Sequence, residues 1–166
     1  MKTIVKLLMI NPQSCGVFLL FLLIGVASCN KTDTTEMSST VSYSGTFVKS
    51  ADTVVTSATG TVSATFDLTS MVLSYTVTWS GLTSNAANMH FHDAGPVIYP
   101  IMGFAEASSG TLSGSVTLTA GQASDLASGK IYVQIHTVNI PSGEILANLS
   151  QTGSSYTPPS GGGYGY

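Results

Sequence analysis

From Val41 onward the chain alternates apolar and small polar residues, one for one, over several separate stretches. Val41, Tyr43, Gly45 and Phe47 hold one phase, while Ser42, Ser44 and Thr46 hold the other. The same pattern returns at Val62, Ala64, Phe66 and Leu68, at Leu73, Tyr75, Val77 and Trp79, and at Leu112, Gly114, Val116 and Leu118. A period of two gives a strand with one apolar face and one polar face. Ala58-Thr59-Gly60 and Thr69-Ser70 suit turns, and Ser80 to Asn85 reads as a loop that leads into a strand at Asn88 to His92. An apolar run follows Gly95-Pro96, and residues 130 to 137 and 144 to 149 close the sheet across Asn139 to Gly143. Thr119 to Gly129 breaks the alternation. Thr119 suits an N-cap and Gly129 a C-terminal stop, which predicts one helix of about two turns with Leu126 turned inward. About eight short strands and one short helix predict an all-β antiparallel β-sandwich.

The two ends carry a different pattern. Lys2 and Lys6 precede an apolar core from Gly16 to Ala27, too short for a membrane span of about 20 residues. Val26-Ala27-Ser28-Cys29 follows, and small residues before a cysteine resemble a bacterial lipobox. Residues 1 to 28 are therefore expected to be a lipoprotein signal peptide, with Cys29 the lipidation site. Removal of that segment also removes Cys15, so no intrachain disulfide is expected. Residues 29 to 40 are polar and aperiodic, as in a flexible tether. Asp33 and Glu36 behind the cysteine suit either an outward-sorting signal or a plain linker. Residues 151 to 166, rich in Pro, Gly and Tyr, are expected to be a disordered tail. Residues 41 to 150 remain as the single folded domain. The expected setting is export, with lipid anchorage to a bacterial membrane (the outer membrane, on its periplasmic or surface face).

Composition narrows the function. Charged residues make up 8% of the chain and there is no arginine. That excludes a basic nucleic-acid surface and a guanidinium fork for phosphate. After processing, Lys31, Lys49 and Lys130 face eight acids, so attraction to anionic headgroups is not expected and attachment falls to the lipid. No nucleophile elbow and no phosphate-cradling glycine loop occurs. Trp79 and the tyrosines can stack on a glycan or a protein partner, but Trp79 lies in an apolar phase and is read as core.

The remaining candidate chemistry is histidine. His90 and His92 form an H-x-H pair, and His136 ends the strand-like run Ile131 to Thr137. Residues i and i+2 of a strand leave the same face roughly 7 Å apart, so a neighbouring strand can bring a third imidazole to them. Three imidazoles suit copper or zinc. Asp93 and Glu144 are the candidate hydrogen-bond partners that would orient those rings. The alternative is structural, with the rings bonded to backbone carbonyls or carboxylates and Glu144 closing the Pro141-x-Gly143 turn.

His90, His92, Gly95, Pro96 and Val97, followed by Tyr132, Val133, His136, Thr137, Pro141, Gly143, Glu144 and Ile145, resemble the CHRD domain, a module named for chordin and widespread in bacterial secreted proteins. The resemblance covers roughly residues 41 to 150. It departs at Asp93, where the family favours Gly, and at Leu146-Ala147-Asn148, where it places Arg and Gly. It implies an immunoglobulin-like or superoxide-dismutase-like Greek-key sandwich and assigns no reaction. The H-x-H and V-x-I-H strands are also similar to the copper strands of copper/zinc superoxide dismutases. A bridging histidine, a separate zinc cluster, the disulfide and the guiding arginine are missing, which counts against a redox enzyme. The expectation is a non-catalytic binding or structural module of the envelope with an unnamed protein or glycan partner, and metal binding is the alternative.

Overall fold

A computed structural model describes residues 39–153 and 156–158. The expected signal peptide, Cys29, most of the tether and most of the tail lie outside the described residues. The described chain folds as two five-stranded antiparallel sheets with one helix, the all-β sandwich expected from the alternation. In chain order the elements are β1 (Thr40–Thr46), β2 (Val48–Lys49), β3 (Thr59–Asp67), β4 (Val72–Ser80), β5 (Ala86–Asp93), β6 (Val97–Pro100), β7 (Gly110–Thr117), α1 (Ala120–Ala127), β8 (Ile131–Thr137), β9 (Ile145–Asn148) and β10 (Ser150–Thr152). One sheet runs β10-β1-β3-β4-β7 and the other β2-β9-β8-β5-β6.

Two strands escape the sequence pattern for physical reasons. β2 has two residues, too few for any period, and β10 is Ser-Gln-Thr, with no apolar residue to mark a face. Both arise where the chain changes sheets. The chain leaves β1 at buried Phe47 to form β2 in the opposite sheet, and leaves β9 at buried Leu149 to form β10. β1 pairs with β10 and β2 with β9, so two bent ribbons close one side of the sandwich together. Gly45 permits the crossing, since a Cβ there would collide with the carbonyl oxygen of Asn148.

The core lies between the inner faces. Tyr43, Val62, Phe66, Leu73, Val77 and Trp79 face Met89, Phe91, Val133, Ile135, Ile145 and Ala147. Trp79 is core, as its phase predicts, and its indole N–H donates to the Ala107 carbonyl at 3.1 Å. The Tyr75 ring meets Phe91 edge-on, with centroids 4.9 Å apart. The helix forms where expected. Thr119 accepts from the Gln122 amide at 3.2 Å, and the Gln122 side chain accepts from the Thr119 amide at 2.9 Å. Gly129 takes a φ of +72° and ends the helix, and Leu126 is fully buried.

The two outer faces differ in chemistry. On the first sheet, Thr152, Ser42, Thr65, Ser74 and Ser115 form one row across all five strands, and Ser150, Ser44, Ser63, Thr76 and Ser113 form the next. Hydroxyls bond across strands there, Thr76 to Ser113 at 2.8 Å and Thr78 to Thr111 at 3.2 Å. The second sheet carries the histidines.

Candidate metal centre

β5 and β8 are neighbours in the second sheet, with Tyr132 opposite His92, Gln134 opposite His90 and His136 opposite Asn88. Met89, Phe91, Val133 and Ile135 are buried inward, so the intervening residues point outward. The sheet therefore gathers His90, His92 and His136 on one outer surface. One ring nitrogen from each lies within 4.8 Å of the other two, the grouping that the H-x-H spacing and the later strand predict. Ring centroids are 5.1 Å apart for His90 and His136, 5.9 Å for His90 and His92, and 6.2 Å for His92 and His136. An ion about 2.1 Å from each nitrogen would hold tetrahedral donors about 3.4 Å apart, so the rings would close by up to about 1.4 Å on binding it.

Local turns fix two of the rings. The register of β5 against β6 shifts between Phe91 and His92, a bulge that re-aims the side chain. Ala94 and Gly95 follow with positive φ angles of 49° and 131°, and the turn delivers the Gly95 carbonyl to His92 Nδ1 at 2.7 Å. At the other end, the loop after β8 returns so that the Pro141 carbonyl reaches His136 Nδ1 at 2.9 Å. A carbonyl only accepts, so both Nδ1 atoms carry a proton, and Nε2 is the nitrogen that the neutral form of each ring would offer to a metal.

Four buried side-chain polar atoms lack a hydrogen-bond partner among the described residues. Three of them are His90 Nδ1, His92 Nε2 and His136 Nε2. Buried polar groups in folded proteins are nearly always satisfied, and unsatisfied ones rarely cluster. Here each histidine contributes one. Burial lowers the pKa of His90 from its ordinary value, and neighbouring His136 and then His92 lower it further, which favours the neutral ring that a metal needs.

The two carboxylates named from the sequence lie elsewhere. The Glu144 side chain is fully buried, and it accepts from the Thr56 hydroxyl at 2.6 Å, the Thr83 amide at 2.9 Å, and the Thr83 and Thr137 hydroxyls at 2.8 Å each. It touches His136 only at a distance along the chain, through Thr137, whose hydroxyl also accepts from the Ile140 amide in the loop that carries Pro141. Asp93 sits beside Asp125, which is paired with Lys130 at 2.8 Å. Burial raises the Asp93 pKa, Asp125 raises it further, and Lys130 partly offsets the rise. The partners that hold the rings are carbonyls.

Tyr132 is the contributor that sequence reasoning passed over as a site residue. Its ring stacks on His92 with centroids 4.8 Å apart and planes 6° from parallel. The phase of β8 carried the signal, since Tyr132, Gln134 and His136 share the face opposite Ile131, Val133 and Ile135. The stack and the Gly95 carbonyl restrain one ring from two directions. Tyr132→Leu is expected to weaken metal affinity by about tenfold, the range for partners that orient a ligand. Tyr132→Phe, which keeps the stack, should retain it. Competition against a chromophoric chelator measures both.

No curated protein and no solved structure matches the chain. The family comparison does find a match. Residues 30–148, most of the chain, fit the CHRD domain, and all three histidines, the Gly95 and Pro141 carbonyls and the Glu144 cradle fall inside that span. The chain belongs to the CHRD domain family.

Proposed function

We propose that this is an exported, lipid-anchored CHRD module that binds one copper or zinc ion through His90, His92 and His136. The observation that carries the reading is the set of three orphaned, buried ring nitrogens, one from each histidine. Three neutral imidazoles suit both ions and leave at least one coordination position open. The proposed role is holding metal rather than redox turnover, because the sequence has three histidines in all and no arginine to guide an anionic substrate. Dialysis of the purified protein against copper and zinc in turn, with bound metal counted by mass spectrometry, tests the reading. About one ion per chain is expected, and none would sink it.

Anchorage rests on the sequence Val26-Ala27-Ser28-Cys29 behind the apolar stretch. Cys29→Ser should block lipid attachment and leave unprocessed precursor in the membrane fraction. Normal cleavage with soluble release would exclude Cys29 as the lipid site.

A further inference from the structure

The sandwich has four strand edges, at β10, β7, β2 and β6. An edge strand is a template for another chain unless something blunts it. Three of the four are blunted. β10 has three residues and β2 has two, while β6 has four, ends at Pro100 and meets the bulge in β5. The fourth, β7, is eight residues long, Gly-Thr-Leu-Ser-Gly-Ser-Val-Thr. It holds no charge and no proline, and its register with β4 is unbroken.

The free side of β7 can be read residue by residue. The Leu118 amide donates to the Met71 carbonyl, so Leu118 faces the β4 side, and alternation turns Val116, Gly114 and Leu112 the same way. Thr117, Ser115, Ser113 and Thr111 then turn their backbone groups outward. The Tyr99 hydroxyl agrees, since it reaches the Thr117 carbonyl from β6 at 2.7 Å. The hydroxyl contacts of Ser113 with Thr76 and Thr111 with Thr78 agree too, because side chains lie closest in pairs that exchange no backbone bond. Among the described residues, no partner meets the outward N–H and C=O groups of Thr111, Ser113 and Ser115. The inward side is also incomplete. Val62, Val77 and Leu112 form one row and Phe66, Leu73 and Val116 another. The β3 and β4 members are buried, but Leu112 and Val116 stay half-buried.

We infer that β7 pairs edge to edge with β7 of a second copy, joining the two serine- and threonine-faced sheets into one of ten strands. An antiparallel edge complements itself. Centred on Ser113, the pairing sets Thr111 against Ser115 and makes about six N–H···O bonds, while the Thr117 carbonyl keeps Tyr99. Nothing in the strand repels its copy, and Glu106, the nearest charge in sequence, lies outside it. An edge about 24 Å long and roughly 20 Å deep, two layers with their side chains, gives about 500 Å² per copy. Two copies reach about 1,000 Å², the lower limit for a specific interface, so the association is weak and its specificity comes from backbone bonds. No metal takes part, and the inference stands apart from the site on the other sheet.

Sedimentation velocity of the purified protein in chelator, over roughly 5 to 500 µM, tests it. A monomer–dimer equilibrium is expected, with amide exchange at Ser113 and Ser115 slowing as the dimer fills. Ser113→Pro removes one outward N–H and spares the β4 ladder. Leu112→Lys puts a charge at the half-buried inward position, a device that keeps natural edges apart. Each variant should weaken the dimer at least tenfold, and circular dichroism checks that each is folded. A monomer throughout the range, or a dimer untouched by a folded variant, overturns the inference. A monomer whose Ser113 and Ser115 amides are already protected overturns it as well, because the chain then covers this edge itself.

Discussion

Glu144→Ala will lower the melting temperature by about 10 °C or more, the largest stability effect expected from any single change in this domain. The carboxylate is fully buried and satisfies four donors: the hydroxyl of Thr56 in a loop, the hydroxyl of Thr137 at the end of β8, and the hydroxyl and amide of Thr83. Truncation leaves those donors without an acceptor in a space that water does not fill freely. Each unsatisfied buried donor costs about 1–3 kcal/mol, and even partial rearrangement leaves a loss of roughly 3 kcal/mol. At about 4–8 °C per kcal/mol for a small domain, the melting shift follows. Glu144→Gln keeps the volume and one oxygen but puts a donor where a second acceptor is needed, so it should fall between wild type and Ala.

The same cradle predicts a pH dependence. Burial raises the pKa of Glu144, but hydrogen bonds from Thr56, Thr83 and Thr137 outweigh it and hold the group below the ordinary carboxylate value. A folded pKa below the unfolded one contributes stability that is fully present above the unfolded value and is lost as pH falls through the folded one. Stability should therefore decline as pH falls below about 5, where a free carboxylate begins to protonate, and go on declining until the folded group is protonated as well. Glu144→Gln should flatten that decline. An equally steep acid loss in wild type and the Gln variant would show that other groups govern it.

The second large effect is on metal. A ligand that binds the folded state alone stabilises it by about 2.7 kcal/mol at a hundredfold excess over its dissociation constant. Copper or zinc at that excess should raise the wild-type melting temperature by roughly 10 °C. In His92→Ala the shift should vanish. In metal-free buffer that variant should lose far less than the metal shift, because His92 Nε2 has no partner to lose and what disappears is the Nδ1 contact to Gly95 and the stack on Tyr132. If the ring were purely structural, the pattern would invert, with a lower metal-free melting temperature and no metal effect in either protein.

Much of this architecture was written in the period of the chain. Each long run of alternation became a strand, and Thr119 and Gly129 bounded the helix. The short strands were hidden because β2 and β10 are defined by their partners rather than by their own composition. At the site, the H-x-H spacing gave the shared face of His90 and His92, and the phase of β8 gave His136. What sets the rings could not be read in advance. The acceptors at Gly95 and Pro141 are backbone carbonyls, which every residue carries, and only the turn conformations decide where they point. Glu144 stood beside His136 in the sequence, yet its oxygens face Thr56 and Thr83, residues 88 and 61 positions away. A buried carboxylate follows its donors, and here those donors converge from distant loops.

X-ray absorption at the metal edge of the copper-loaded protein tests the central claim most directly, because it counts the donors. The site predicts three imidazole nitrogens at about 2.0–2.1 Å, falling to two in His136→Ala. A spectrum with no imidazole scattering, or one unchanged by loss of His136, would contradict it.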